Sequence, residues 1–128
     1  MRVCRTNLLD DDIWQLCLQG PTLDAVHVKS IRVAILAAIS VKARGFIIDL
    51  QDVKRLDPWG LAGLTSLSKE FAPRTPLVLA GLQGKMQEMA LLLHLHDIFD
   101  IYEDSRAAMF DINPSVGSDR GCNNVANN

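Results

Sequence analysis

The sequence predicts an α/β protein with a mostly parallel central sheet of four to five strands and about four α-helices packed on it. Short apolar stretches with the length of strands alternate along the chain with longer stretches of helical periodicity. Two of the short stretches, residues 46–50 and 76–80, are apolar apart from Asp49, which is typical of parallel strands covered on both faces. Strands and helices in alternation imply right-handed crossover connections.

The first predicted strand is residues 13–18, which Gly20-Pro21 ends with turn chemistry. Residues 23 to about 42 are rich in apolar residues and lack Gly and Pro, so they predict a helix with Thr22 or Asp24 near its start. A helical wheel gives the buried face of this helix as Val28, Ile31, Ala34, Ile35 and Ala38.

Two apolar residues, Val33 and Leu36, fall on the opposite side of the first helix. They mark either a second contact surface or isolated exposed apolar residues, of which the latter are more common.

The second predicted helix runs from 58 to about 71 and follows the strand at 46–50. Asp57 is a suitable N-cap and Pro58 suits the first helical position, where a missing N–H costs nothing. Pro73 ends the helix because the residue before a proline is disfavoured in helical conformation. The remaining elements are a strand at 76–80, a helix from 85 to about 93 with Met86, Met89, Ala90 and Leu93 in the core, a strand at 98–102 and a short helix from Ser105.

Length and composition predict one domain, because 128 residues with 48% hydrophobic content are enough for one core. Residues 1–12 form an N-terminal segment that could add an edge strand, and 13–112 form the domain. Residues 113–128 are rich in Asn, Gly and Ser, so we expect a disordered tail.

Charge and hydropathy exclude several classes of function. Thirteen Lys and Arg residues, set against fifteen Asp and Glu residues, are scattered along the chain, which argues against nucleic-acid binding. No apolar run is long enough for direct membrane insertion, and the N-terminus lacks the apolar core of a secretory signal, so we expect a cytoplasmic protein. Three cysteines without C-x-x-C spacing predict neither a disulfide framework nor a zinc site.

Few residues suggest catalysis or cofactor binding. Asp24 and Asp57 could act as acid and base or bind a divalent cation, but helix capping already explains both, and no nucleophile accompanies them. The glycines at 81 and 84 have the wrong spacing for a phosphate-binding loop. His94 and His96 lack further His or Cys ligands nearby. We therefore predict no catalytic residues, no metal and no cofactor.

Three stretches in this order resemble the STAS family, the domain of bacterial anti-sigma-factor antagonists and of the cytosolic ends of sulfate transporters. Residues 20–25 are similar to the family's Gly-x-x-Asp turn. The strand at 46–50 and residues 56–61 are similar to its apolar strand and Asp-Ser-Ser-Gly-Leu signature, and residues 79–82 with 95–102 are similar to its closing pattern. The likeness covers roughly residues 10–112.

The resemblance implies a binding module that lacks the family's usual switch. In the family, a partner kinase that doubles as an anti-sigma factor phosphorylates the second Ser of the signature and thereby breaks the complex. Trp59 occupies that position and Pro58 the preceding one, so neither offers a hydroxyl group. His94 stands where the family often has Gly after the third helix.

The expected partner-binding surface is the N-terminus of the second helix with the preceding turn at 21–24. The helical wheel directs Trp59, Ala62 and Ser66 away from the buried face around Leu64. The alternative is that the Trp59 ring folds back as a lid over its own domain. The predicted contact residues are Asp24, Asp57, Pro58, Trp59, Gly60, Ala62 and Ser66.

The resemblance implies an anti-sigma factor or a kinase-like regulatory protein as the partner. A second hypothesis is a subunit of a lipid or anion transport complex of the ABC type, with a transporter ATPase as the partner. A third is a nucleotide-binding protein or small enzyme that uses Asp24 and Asp57.

Overall fold

The computed structural model describes residues 4–9, 12–71 and 74–112. Its strands are β1 (Cys4–Leu8), β2 (Ile13–Leu18), β3 (Thr22–Leu23), β4 (Gly45–Asp49), β5 (Arg55–Leu56), β6 (Leu77–Ala80) and β7 (Ile101–Tyr102). Its α-helices are α1 (Ala25–Ile39), α2 (Pro58–Phe71), α3 (Lys85–Leu92) and α4 (Ser105–Ile112), and Leu95–Asp97 forms a short 3₁₀-helix. The expected tail at 113–128 lies outside the described residues.

A five-stranded sheet forms the centre of the fold, in the spatial order β1-β2-β4-β6-β7. Strands β2, β4, β6 and β7 are parallel, and β1 pairs antiparallel with β2 along one edge. The N-terminal segment thus supplies an edge strand. The predicted α/β class with a mostly parallel sheet is confirmed.

The central strands β4 and β6 are buried along their whole length, as their largely apolar sequences predict. Phe46 and Ile48 of β4 belong to the larger core, which also contains residues of α1, α2 and α3. Ile47, on the opposite face of the same strand, packs in a smaller cluster with Ala108 of α4. Helices α1, α2 and α3 therefore cover one face of the sheet, and α4 covers the other.

A second sheet consists only of β3 and β5, which pair in parallel. Neither strand is predicted from the sequence, because two-residue strands carry no periodicity. Contacts between distant residues create them: the backbone N–H groups of Lys54 and Arg55 both donate to the carbonyl of Pro21, at 2.7 and 2.9 Å.

Helix α1 is shorter than predicted, because Leu23 belongs to β3 and Asp24 is the N-cap. Its buried residues are His27, Ile31, Ile35 and Ala38. The wheel missed His27, while Val28 and Ala34 are only half-buried. Val33 and Leu36 are exposed, as predicted.

The predicted strand at 98–102 is wrong over its first three residues, since only Ile101–Tyr102 pair with β6. The chain turns there instead, with Leu95 and Phe99 buried and the backbone N–H of Phe99 donating to the Leu95 carbonyl at 2.9 Å. The core prediction for α3 is also wrong in part. Met86 and Ala90 are buried, whereas Met89 and Leu93 are each 39% exposed.

Among the described residues, no helix has the length and apolar character needed to cross a membrane.

Candidate partner-binding site

The pairing of β3 with β5 brings the N-termini of α1 and α2 side by side. Leu23 of β3 is paired with Leu56 of β5. Asp24 follows Leu23 and precedes α1, and Asp57 follows Leu56 and precedes α2. The backbone N–H of Asp57 donates to the Leu23 carbonyl at 2.9 Å. The structure therefore places the turn before α1 next to the first turn of α2, and the candidate site lies there.

Asp24 caps α1, and several donors occupy its carboxylate. Its Oδ1 accepts hydrogen bonds from the backbone N–H groups of Val26 and His27 at 3.1 and 3.2 Å, and lies 3.0 Å from Nδ1 of His27. The side-chain hydrogen bond from His27 is the largest cause of a lowered pKa for Asp24, and the backbone N–H groups act in the same direction. A carboxylate whose pKa is lowered in this way is a weak general base.

His27 is a residue of this site that sequence reasoning missed. Its ring is buried, with Nδ1 against Asp24 and Nε2 in a hydrogen bond with the carbonyl of Gln19. It therefore links the end of β2 to the start of α1. The spacing Asp-x-x-His after a turn was the available signal, since residues three apart meet on the first turn of a helix.

Asp57 holds the first turn of α2 in the same way. Its Oδ1 accepts the backbone N–H of Trp59 at 2.8 Å, while Pro58 between them has no N–H to satisfy. The predicted cap is confirmed. Its effect is to hold the backbone of Trp59 in one position.

The Trp59 side chain is 77% exposed, so the ring does not act as a lid over its own domain. Pro58, Ala62 and Ser66 are exposed as well. An indole, a proline ring and two small side chains thus form an open surface on the outer side of α2. We call Pro58, Trp59, Ala62 and Ser66 the α2 surface.

Gly60 lies on the other side of α2 and is buried. A Cβ atom there would collide with the carbonyl oxygen of Leu23, so the absence of a side chain lets α2 approach the turn before α1. Gly60 was predicted among the contact residues, but its position in the structure gives it a packing role beneath the surface. Gly63, about one turn later, allows a similar close approach of α2 to α1, because an added Cβ there would lie 2.6 Å from Cγ1 of Val28.

The hydroxyl groups of α2 differ in access. Ser66 is exposed, Ser68 is buried, and Thr65 is half-buried with its hydroxyl donating to the Leu61 carbonyl at 3.2 Å. Of these groups, only Ser66 lies on the α2 surface.

A second polar cluster escaped the sequence analysis and lies on the α4 side of the sheet. Asp49, which is 9% exposed, accepts hydrogen bonds from Ser105 Oγ at 2.8 Å, from Gln15 Nε2 at 3.1 Å and from the backbone N–H of Gln51 at 2.9 Å. These contacts join β2, β4 and α4. Gln15, Asp49 and Ser105 are far apart in sequence, so no local pattern could reveal this cluster.

The fold and the site define a small α/β domain with an exposed surface on the first turns of a glycine-packed helix. The STAS domain model matches residues 9–108, and the chain belongs to this family. Comparison with curated proteins gives no significant match.

Solved structures with the same fold include three that differ in their described roles. An anti-sigma factor antagonist from Mycobacterium paratuberculosis is 21% identical, with a TM-score of 0.68 over 85% of this chain and 93% of that one. A STAS domain protein from Planctomyces limnophilus is 17% identical, with a TM-score of 0.71 over 88% and 98%. A sulfate transporter family protein from Wolinella succinogenes is 15% identical, with a TM-score of 0.71 over 86% and 92%. At these identities the likeness establishes the shared fold.

Proposed function

We propose that this STAS domain is a non-catalytic, cytoplasmic interaction module that binds an anti-sigma factor or a kinase-like regulatory protein through the α2 surface and the neighbouring turn at 21–24. The observation that carries the proposal is the exposure of Trp59, at 77%, on a capped first helical turn. Structural neighbours described as anti-sigma factor antagonists support this class of partner.

The physical basis is the cost of ordering an interface. A tryptophan offers a large apolar area with few rotatable bonds, so it loses little side-chain entropy on binding. Here the backbone beneath it is already held by the Asp57 cap and by the close packing of Gly60 on Leu23. Such anchors contribute a large share of binding energy in many interfaces.

The same residue supports a second element of the proposal, which is the loss of phosphorylation control at this position. The indole of Trp59 and the ring of Pro58 carry no hydroxyl group that a kinase could modify. Ser66 lies on the same surface two turns further along the helix, where phosphorylation would add negative charge within the proposed contact. We propose that the domain binds its partner without the usual switch at the start of α2.

The substitution Trp59→Ala tests the contact. With a purified kinase-like anti-sigma factor as the probe, we expect binding to weaken by more than about 2 kcal/mol, because an anchor is removed. The melting temperature should change little, since the ring has few contacts to lose. Calorimetric titration and thermal unfolding measure the two quantities.

The matched control is Leu92→Ala on α3, which removes another exposed apolar side chain, here 74% exposed, from outside the proposed site. It should leave binding unchanged. Equal affinity of the Trp59→Ala variant and the unsubstituted protein would refute the proposed contact. A large fall in melting temperature would instead assign the ring a structural role.

A second candidate is a subunit of a transport complex, and the likeness to the sulfate transporter family protein favours keeping it. In that case the same surface would bind a transporter ATPase of a lipid or anion system. The two candidates are separated by which purified protein binds, the ATPase or the anti-sigma factor, and by which of them the neighbouring genes encode.

Nucleotide binding or catalysis at Asp24 and Asp57 has less support, because both carboxylates accept hydrogen bonds from their own helix termini. Thermal unfolding with ATP or GTP tests it directly, since a ligand that binds the native state must raise the melting temperature. No shift with either nucleotide would leave this alternative without support.

A further inference from the structure

The connection between α3 and β7 gathers three side chains that are suitable metal ligands. His94, His96 and Asp97 each offer one ligand atom, and these atoms lie within 4.8 Å of one another. All three residues are exposed, so an ion could reach them from solvent. The sequence analysis counted only the two imidazoles and predicted no metal; the 3₁₀-helix brings the carboxylate to them.

Each imidazole lies close to the Asp97 carboxylate, at a separation near that of two ligands around one small ion, and each faces a different carboxylate oxygen. Nδ1 of His94 is 3.4 Å from Oδ2 of Asp97, and Nε2 of His96 is 3.5 Å from Oδ1 of the same carboxylate. Tetrahedral Zn²⁺ with bonds of about 2.0–2.1 Å holds its ligand atoms about 3.4 Å apart. The two histidine rings lie 5.8 Å apart between centroids, and rotation of these exposed side chains can bring their nitrogens onto one ion.

His94 has a left-handed backbone conformation, in which a histidine is less favourable than a glycine. His94 is the C′ residue of α3 and has φ 57° and ψ 35°, in the left-handed region. Glycine is favoured at this position because a Cβ atom is unfavourable there. An exposed imidazole occupies it instead. A functional reason for the side chain would offset that conformational cost.

We propose that His94, His96 and Asp97 bind one divalent transition-metal ion of the Zn²⁺ class, with water in the fourth position. Two imidazole nitrogens and one carboxylate oxygen favour such ions over Mg²⁺ and Ca²⁺, which prefer oxygen ligands throughout. The site is independent of the partner contact proposed for the α2 surface.

Calorimetric titration of the untagged full chain with Zn²⁺, after treatment with a chelator, tests the proposal. We expect one Zn²⁺ per chain and no competition from a large excess of Mg²⁺. His96→Gln and Asp97→Asn should each weaken binding by more than about tenfold, because loss of a ligand should cost at least as much as loss of a residue that only orients one. Glu103→Gln, which alters an exposed carboxylate outside the cluster, should leave the affinity unchanged. Absence of binding, or unchanged affinity of His96→Gln, overturns the proposal.

His94→Gly separates a ligand role from a structural one. Without metal, this variant should melt at a higher temperature than the unsubstituted protein, because glycine is unstrained at a positive φ. Zn²⁺ should stabilise the unsubstituted protein but not the variant. A variant that Zn²⁺ stabilises equally would show that His94 is not a ligand and overturn the three-ligand site.

Cysteine thiolates are the competing ligands, and Co²⁺ in place of Zn²⁺ distinguishes them. Burial raises the pKa of Cys4 to about 11, and the pKa of Cys17 is also raised mainly by burial, so these two thiols resist the deprotonation that metal binding needs. The third cysteine, Cys122, lies outside the described residues, and the titration is repeated with Cys122→Ser. We expect a Co²⁺ spectrum without a thiolate charge-transfer band. Its presence would assign the ion to cysteine and overturn the proposal.

Discussion

The Nδ1 atom of His27 lies 3.0 Å from Oδ1 of Asp24, one helical turn earlier in the chain. This contact joins a buried imidazole to the carboxylate that caps α1. It lies beside the first turn of α2, so the stability of the proposed binding surface depends on it.

Removal of the Asp24 carboxylate should destabilise the domain in a way that depends on pH. We expect Asp24→Ala to lower the free energy of unfolding at neutral pH by about 1 kcal/mol, the usual cost of losing an N-cap. The pKa of Asp24 is lowered in the folded state, so the carboxylate stabilises the fold above its ordinary pKa near 4, and this contribution is lost as the pH falls through the lower folded value. The difference between the two proteins should therefore shrink below about pH 4.

Chemical denaturation of both proteins across acidic pH measures this difference. Asp100→Ala, at an exposed carboxylate, is the control and should cost little at any pH. A cost of Asp24→Ala that stays constant down to about pH 2 would contradict the assignment.

Alanine substitution should destabilise the domain more at Gly60 than at Gly63, the two glycines of α2. Gly60→Ala places a Cβ atom against the backbone of Leu23, which cannot move without disturbing β3, whereas Gly63→Ala meets only the side chain of Val28. We expect Gly60→Ala to cost at least about 3 kcal/mol of unfolding free energy and Gly63→Ala less, toward about 1 kcal/mol. Urea denaturation of both variants checks the order.

Gly84→Ala serves as the reference for these substitutions, because no atom lies within 4 Å of its added Cβ although its φ is positive. Its cost should reflect backbone strain alone, of about 1–3 kcal/mol. A Gly60→Ala variant that loses no more stability than Gly63→Ala would show that α2 does not need the close approach.

Ser105→Ala should weaken the attachment of α4 to the sheet. The Ser105 hydroxyl donates to the buried carboxylate of Asp49 at 2.8 Å, and its removal leaves that oxygen with the Gln15 amide as its remaining side-chain donor. We expect a loss of about 1–3 kcal/mol, as for a hydrogen bond to a charged group. Ser66→Ala, at an exposed helical position, should be within about 0.5 kcal/mol of the unsubstituted protein. Equal stabilities would show that the Ser105 contact contributes nothing.

Trp59→Ser should restore a modifiable hydroxyl at the start of α2. Given a kinase-like anti-sigma factor that binds this domain, we expect incubation with ATP to phosphorylate the variant and not the unsubstituted protein, as measured by intact mass. Trp59→Ala is the matched control, since it removes the same ring without adding a hydroxyl. A Trp59→Ser variant that gains no phosphate from an active partner kinase would contradict the assignment of position 59 as the lost phosphorylation site, whereas phosphorylation of the unsubstituted protein at Ser66 would place the control elsewhere on the α2 surface.

The features that local sequence determines are those that were predicted. Asp57 and Pro58 specify the start of α2 because capping and the proline N1 preference act within a few residues. The exposure of Trp59 follows from its angular distance from Leu64 on the same helix. The largely apolar sequences of β4 and β6 likewise predict burial on both faces of the sheet.

Tertiary structure alone decided the features that depend on residues distant in sequence. The pairing of β3 with β5 rests on hydrogen bonds across more than thirty positions, and it brings Asp24 and Asp57 to one end of the fold. The burial of His27 depends on the Gln19 carbonyl it meets. Residues 98–100 have a strand-like sequence but form no strand, and Phe99 is buried in the core. Burial of a large side chain outweighs local strand propensity there. Sequence thus determined the helices, the central strands and the outward tryptophan, while long-range hydrogen bonding and packing decided the β3–β5 pairing and the residues that surround the site.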